Sequence, residues 1–168
     1  EKANLITEPG CHGRVTHQYH WTNNNYQSFE DHLSRFKSRD RKKIKKERQK
    51  AAAAVDEIRH LNGEELTQKD IDTLWGFYQD TCSRKWGEPY LTKGFFNALN
   101  AELSEVTHIF SAVKNRVTVA MALCFQRDER LYGRYWGCSD QFDCLHFELC
   151  CHQPIQWCIE KGFSGFEA

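Results

Sequence analysis

The chain has 168 residues, which is enough for one domain with a hydrophobic core or for part of a larger one. Its 23 basic residues equal its 23 acidic residues, so it is not a polycation, and 13% aromatic residues exceeds what a disordered chain carries. No apolar run approaches the roughly 18 residues that span a bilayer, and no secretory signal pattern opens the sequence. We therefore expect a globular, cytoplasmic protein without a membrane span.

The first third of the chain predicts an irregular segment followed by helices. Residues 1–27 are polar, with a loose alternation over 15–21 that favours a short strand. Ser28 is a suitable N-cap, and apolar residues recur after it at helical spacing. Residues 35–50, the basic stretch, carry ten positive charges against two negative ones. This stretch and the alanines that follow it favour one long helix.

The remainder of the chain predicts a mixed α/β domain. Helices are expected after the N-cap residues Thr67 and Thr92. A third helix, over 145–161, should end at Gly162 and be kinked or interrupted by Pro154. Strands are expected over residues 55–61, 106–113, 117–125, 130–138 and from 163 onward. Helices followed by an antiparallel meander, a helix and a strand are typical of a mixed α/β fold.

The cysteines allow two interpretations. They are Cys11, Cys82, Cys124, Cys138, Cys144, Cys150, Cys151 and Cys158, and none of them forms a C-x-x-C pair. Cys138, Cys144 and His146 would converge on a metal only at a spacing that matches no common zinc module. The simpler interpretation is a set of reduced thiols that serve as small apolar side chains, which favours a reducing compartment and no metal.

Two consecutive segments give the sequence a family resemblance. They are LYGRYWGC at residues 131–138 and LHFELC at residues 145–150. Three further segments agree with the same pattern in order and spacing: QYHW at 18–21, SRDRKKI at 38–44 and KWGEPYL at 85–91. Together they resemble the FemAB-like predicted N-acyltransferases of the GNAT superfamily, which are described as peptidoglycan biosynthesis or recognition proteins.

The resemblance implies a GNAT-like fold, in which a mixed central sheet flanked by helices splays open and holds an acyl donor in a cleft. Residues 130–138 would form a central strand, and residues 145–161 the helix after it. Relatives extend beyond both ends of this sequence, so we expect an incomplete fold. The expected division is an N-terminal segment, residues 1–27, and a C-terminally truncated acyltransferase domain, residues 28–168.

Three residues are candidates for catalysis. Acyl transfer to an amine needs a general base, a polarised carbonyl and an acid for the leaving group. Glu148 and His146 stand at the start of a predicted helix, and Tyr135 lies on the strand before it. Two helical residues that are two positions apart diverge by about 200°, so Glu148 and His146 are not expected to face one cleft. Glu148 is the expected base or amine-binding carboxylate; alternatively, it only stabilises the positive end of the helix.

Arg134 is the strongest candidate for binding a substrate. It is a cation in mid-strand, and strict alternation would place Tyr132, Arg134 and Trp136 on one face, with two glycines on the other. An arginine between aromatic residues suits a phosphate or carboxylate group. A structural ion pair, with Glu148 as the partner, fits nearly as well.

Two other segments are candidates for contact with the donor or the acceptor. In the basic stretch, Arg39, Arg41 and Lys42 would bind the phosphates of coenzyme A or tRNA, although a solvated helix face explains the same charges. Lys85, Trp86 and Tyr90 would line a pocket for an anionic acceptor, or would form a loop that is fastened to the core.

The function that the resemblance implies is N-acyl transfer. The donor would be an acyl-coenzyme A, such as acetyl-CoA, or an aminoacyl-tRNA, and the acceptor a small-molecule or peptide amine. The alternative is a non-catalytic module of the same fold that recognises RNA or a cell-wall fragment through the basic stretch.

Overall fold

Six strands and six α-helical segments follow one another along residues 18–85 and 87–168, the part of the chain that the computed structural model describes. The strands are β1 (His20–Thr22), β2 (Glu57–Asn62), β3 (Thr107–Lys114), β4 (Val117–Arg127), β5 (Arg130–Cys138) and β6 (Gly165–Glu167). The helices are α1 (Phe29–Ser34), α2 (Ser38–Ala53), α3 (Gln68–Lys85), α4 (Lys93–Asn97), α5 (Leu145–Phe147) and α6 (Gln153–Lys161). A π-helical segment (Glu148–His152) joins α5 to α6, and short 3-10 turns lie at Gly63–Glu65, Ala98–Asn100 and Ser104–Val106. None of these helices is both long and apolar enough to cross a bilayer.

The strands form one mixed sheet in the order β1-β6-β5-β4-β3-β2. Neighbours are antiparallel except for β5 and β6, which run parallel and are connected through α5, the π-helical segment and α6. β1 lies within the predicted N-terminal segment, residues 1–27, and pairs with β6. Val15, with which the predicted first strand began, lies outside the described residues.

Each face of the sheet packs against its own layer of helices. On one face, Phe110, Ala120 and Leu131 pack against Ala51 of α2 and Leu149 of the π-helical segment. On the other face, Ile109, Met121 and Leu123 pack against α3 and α4 through residues such as Tyr78 and Phe96. Alternate residues of β3 and β4 serve opposite cores, which explains why nearly all of both strands is buried. The predicted mixed sheet flanked by helices is confirmed.

The basic stretch forms a helix, but its limits differ from the predicted 35–50. Arg35 closes α1, since its backbone N–H donates to carbonyls in the last turn of that helix. Lys37 is the N-cap of α2, which continues to Ala53. The predicted start was wrong because the first basic residues end one helix and begin another. At the other end the alanines extend the helix, in keeping with their high propensity.

Residues 145–161 form a continuous helical segment whose middle is not α-helical. The π-helical turn ends just before Pro154, which lies in the first turn of α6. Proline has no N–H to donate and its ring clashes with the preceding turn, so a wider turn accommodates it. The predicted interruption is confirmed, and the helix ends at Gly162 in the left-handed conformation, as predicted.

Candidate active site

A cleft lies along the middle of β5, beside α3 and α5. β6 pairs with β5 along Arg130–Tyr132. Immediately afterwards β5 bulges: Gly133 and Tyr135 lie opposite consecutive residues of β4, so Arg134 is left without a partner on that strand. The bulge therefore directly follows the residues of β5 that pair with β6.

The bulge changes which side chains share a face. Trp136 packs with Leu131 in the core beneath the π-helical segment, whereas Tyr135 packs in the core beneath α3. The prediction that Tyr132, Arg134 and Trp136 share one face was wrong, because the extra residue shifts the alternation by one position after Gly133. Arg134 is exposed, and its guanidinium carbon lies 5.9 Å from the centre of the Tyr135 ring.

Three tyrosines form one side of the cleft. The hydroxyl groups of Tyr90 and Tyr135 hydrogen-bond to each other, and the Tyr78 ring stands 5.0 Å from the Tyr135 ring. They border a cavity of about 430 Å³, the tyrosine cleft, together with Arg134, Trp136 and His146. Burial, and then the bond to Tyr90, raises the pKa of Tyr135 above its ordinary value. Its hydroxyl group therefore keeps its proton at neutral pH and can donate it.

His146 stands where three cavities meet. Its ring contacts Trp136 edge to face, with 5.1 Å between ring centres. Both residues border three cavities. The first is the tyrosine cleft, the second is a cavity of about 530 Å³ that Arg84 and Asp143 also line, and the third is a smaller cavity of about 210 Å³. α5 follows Cys144, whose left-handed backbone turns the chain into the helix just ahead of His146.

Glu148 lies away from this cleft. Its carboxylate accepts hydrogen bonds from Arg48 Nε at 3.0 Å and Nη2 at 2.9 Å, and from Gln153 Nε2 at 2.7 Å. Only 3% of its side chain is exposed. It borders a separate cavity of about 620 Å³ beside α1, α2 and β2. Glu148 and His146 thus diverge, as their spacing predicted, and the ion-pair partner of Glu148 is Arg48 and not Arg134.

The other predicted site residues are spread over the molecule. Tyr90 borders the tyrosine cleft, while Tyr132 borders none of the cavities described above. Arg39, Arg41 and Lys42 lie in the first turns of α2 and do not border those cavities either. The Lys85 side chain and the whole of Trp86 fall outside the residues that the structure describes.

Sequence reasoning missed several residues of the site. Tyr78 of α3 was not predicted as a site residue, yet its ring packs against Tyr135 in the tyrosine cleft. Cys150 and Cys151, treated as apolar filling, border the cavity of about 210 Å³. Across residues 18–85 and 87–168, no three His, Cys, Asp or Glu side chains are grouped so as to hold a metal ion.

Sequence comparison assigns the family. The sequence matches the FemAB-like family, described as peptidoglycan biosynthesis/recognition, over residues 1–168. The chain belongs to the FemAB-like family. The resemblance that residues 131–138 and 145–150 carry is thereby confirmed. No curated protein is similar enough in sequence to count as a relative.

Solved structures support the fold of this FemAB-like chain. A conserved protein of unknown function from Bacteroides thetaiotaomicron VPI-5482 superposes with a TM-score of 0.58 at 9% identity, covering 90% of this chain and 52% of that one. L-PGS from Bacillus licheniformis superposes with a TM-score of 0.55 at 12% identity, covering 81% of this chain and 42% of that one. The chain spans about half or less of these structures. At such identities the likeness shows the fold alone, which agrees with the predicted GNAT-like fold.

Proposed function

We propose that this FemAB-like chain contributes the donor site of an N-acyltransferase. The donor would be an acyl-coenzyme A or an aminoacyl-tRNA, and the acceptor a small-molecule or peptide amine. The observation that carries the proposal is the cleft at the β5 bulge, which Arg134, Tyr135 and His146 border together. Membership of a family of peptidoglycan biosynthesis and recognition supports an amine acceptor of cell-wall type.

The proposed reaction needs no covalent enzyme intermediate. The amine nitrogen attacks the carbonyl carbon of the donor, a C–N bond forms, and the C–S bond of a thioester or the C–O bond of an ester breaks. His146 takes the proton that the amine loses, and the Tyr135 hydroxyl gives one to the leaving sulfur or oxygen. A proton then passes from His146 to Tyr135 through solvent and restores both groups, so the net transfer is one proton from the amine to the leaving group.

Glu148 has a positioning role in this proposal. Its carboxylate is buried and bound by Arg48 and Gln153, so it does not reach the cleft that His146 borders. It holds α2 against the helical segment that contains His146. The amine acceptor would approach His146 through the cavity beside Arg84 and Asp143.

A thermal-shift titration tests the proposal. The chain is titrated with coenzyme A, acetyl-CoA and a charged tRNA, and the titration is repeated on Arg134→Ala. We expect one donor to raise the melting temperature by several degrees and this shift to be lost in the variant. Arg127→Ala is the matched control, since Arg127 is an exposed arginine on the adjoining strand β4, away from the cleft. No shift with any donor, or an equal loss in Arg127→Ala, would contradict the proposal.

The alternative function, RNA or cell-wall binding without turnover, also has an observation in its favour. Arg39, Lys42 and Lys46 are exposed on α2 and form no ion pair with another described residue. A tRNA-induced shift that survives in Arg134→Ala but is lost in Arg39→Ala/Lys42→Ala would favour this alternative.

A further inference from the structure

The cavity through which the amine would approach His146 is bordered by one cation and one anion. Arg84, near the end of α3, borders it, and so does Asp143, which lies just before α5 on the segment that leads to His146. We call it the acceptor cavity. Arg84 and Asp143 are the charged side chains among the described residues that line it. Their charges balance, so the cavity favours neither a purely cationic nor a purely anionic ligand.

Both charges have partners that leave them accessible to a ligand. Asp80, one turn earlier in α3, pairs with Arg84, and Lys50 of α2 pairs with Asp143 at 2.5 Å. Neither Asp80 nor Lys50 borders the acceptor cavity. More than half of each of these four side chains is exposed. Because water screens such surface pairs, Arg84 and Asp143 can each bind a second, oppositely charged group.

The guanidinium group of Arg84 has donors left for a carboxylate. Its Nη2 donates to Asp80, and its other N–H groups donate to none of the residues in 18–85 and 87–168. A guanidinium group presents several N–H donors in a planar fork that matches the two oxygens of a carboxylate. Arg84 can therefore bind the carboxylate of a ligand while it keeps Asp80 as a neighbour.

The wall of the acceptor cavity also includes apolar groups. The rings of Trp136 and Phe142 border it, together with Cys138. Burial raises the pKa of the Cys138 thiol, so this group carries no charge at neutral pH. A ligand whose charged groups contact Arg84 and Asp143 can place the hydrocarbon that joins them on these three side chains.

We propose that the acceptor is a zwitterion, an amino acid or a short peptide that carries a free carboxylate as well as the amine that is acylated. The carboxylate binds Arg84, and Asp143 attracts the ammonium group to the segment that carries His146. This inference rests on the proposed function and names the acceptor of the same site. A simple alkylamine would contact only Asp143 with its charge, and a simple carboxylate only Arg84, so the zwitterion binds more tightly than either.

An NMR titration without any donor tests the inference. The indole N–H signal of Trp136, assigned by its loss in Trp136→Phe, is followed in the isotope-labelled chain. The ligands are 4-aminobutanoate, 6-aminohexanoate and 8-aminooctanoate, each compared with its amide, which lacks the carboxylate, and with the alkanoate of the same length, which lacks the amine. We expect the tightest-binding amino acid to bind at least about tenfold more tightly than its amide and its alkanoate, since each loses a hydrogen bond between charged groups.

Two substitutions assign each end of the ligand to its residue. Arg84→Met should remove the advantage of the amino acid over its amide and keep its advantage over the alkanoate, and Asp143→Asn should do the reverse. Arg127→Met and Asp72→Asn are the matched controls: Arg127 is an exposed arginine on β4, Asp72 is an exposed aspartate paired with a lysine, and neither borders the acceptor cavity. A variant that fails to fold would lose all ligands alike, which distinguishes it from the loss of one contact.

The contrary outcomes separate this inference from the proposed function. Equal affinity for each amino acid and its amide, or an advantage that survives in Arg84→Met, overturns the inference. If a donor still raises the melting temperature in the thermal-shift titration, the proposed function stands with an acceptor of another class. If no donor does so, a preference for the zwitterion that both variants reduce as expected would support the binding site and contradict the proposed function.

Discussion

Arg48 joins the basic helix to the core of the molecule. Its guanidinium group binds Glu148 with both Nε and Nη2, binds the side-chain oxygen of Gln156 at 2.9 Å, and stacks 4.2 Å from the centre of the Phe29 ring. Planar, bidentate geometry of this kind is available to arginine and not to lysine. One of the ten positive charges in the basic stretch therefore has a structural role, and it fixes α2 over the π-helical segment.

Removing one partner of the Arg48–Glu148 pair should lower the free energy of unfolding strongly, whereas replacing both partners should not. Arg48→Met leaves a buried carboxylate without its cation, and we expect a loss of about 3–5 kcal/mol in the free energy of unfolding. In Arg48→Met/Glu148→Met both charges are replaced by apolar groups of similar length, so the double variant should be more stable than Arg48→Met alone. Urea unfolding of the two single variants and the double variant measures the coupling.

The exposed pair of Lys43 and Glu47, at 3.8 Å, provides the control. Lys43→Met should lower stability by less than about 1 kcal/mol, because solvent screens a surface pair. A double variant less stable than Arg48→Met would show that Glu148 contributes to stability independently of Arg48, contrary to this account.

At the scale of elements, α3 crosses β5 so closely at Gly137 that a side chain at this position would not fit. A Cβ atom added to Gly137 would stand 2.4 Å from the Cβ of Phe77 and 3.0 Å from its carbonyl oxygen. This close approach brings Tyr78 of α3 against Tyr135 of β5. The glycine of the Trp136–Gly137 pair therefore has a packing role, and the shape of the tyrosine cleft depends on it.

Gly137→Ala should force α3 away from the sheet and lower stability by about 1–3 kcal/mol, as overpacking does. It should also reduce the thermal shift produced by the donor, because Tyr78 and Tyr135 separate. Gly76→Ala is the matched control: that glycine is exposed in α3 with nothing within 4 Å of the added Cβ, and the change should stabilise the helix by about 0.5–1 kcal/mol. Urea unfolding of both variants measures these changes in stability. Equal changes at the two positions would contradict the close packing at Gly137.

Whether the sequence predicts a feature of a helix or strand depends on how local the cause of that feature is. The end of α6 at Gly162 and its interruption near Pro154 follow from single residues, and both were predicted. The β5 bulge was not, because it arises from the register between β4 and β5 and leaves no mark in the alternation of Tyr132, Arg134 and Trp136. The bulge is the reason why the prediction of one shared face for these three residues was wrong.

At the scale of the whole molecule, pairings between distant segments lay beyond sequence reasoning. Arg48 and Glu148 are separated by 100 positions, and neither residue is marked as a partner among so many charges. The order of the strands and the grouping of Tyr78, Tyr90 and Tyr135 follow only from the folded chain. The residues that carry the resemblance and the residues that border the cleft overlap at Tyr90, Arg134–Trp136 and His146.

Four histidines are held in surroundings that disfavour their charge. Burial, and then the neighbouring His108, lowers the pKa of His60 to about 4; Nε2 of His60 lies 3.0 Å from Nδ1 of His108. His108, His32 and His152 are lowered as well, each chiefly by burial. The lysine partners of Asp72 and Asp143 hold the pKa values of these carboxyl groups below their ordinary value, so the two groups affect the pH dependence of stability only at more acidic pH.

The global stability should therefore fall as the pH falls from about 6.5 to about 4. A histidine whose pKa is lower in the folded chain than in the unfolded chain stays neutral when folded, so in this window the unfolded chain binds more protons. Each such proton lowers the free energy of unfolding by at most about 1.4 kcal/mol per pH unit, and partial exposure of the rings makes the slope shallower. His60→Phe should keep its ring packing with Phe110 and Trp157 and show a smaller loss between pH 7.5 and pH 5.0. Urea unfolding at the two pH values measures this, and an equal loss in the two proteins would show that His60 is protonated as readily in the folded chain as in the unfolded one.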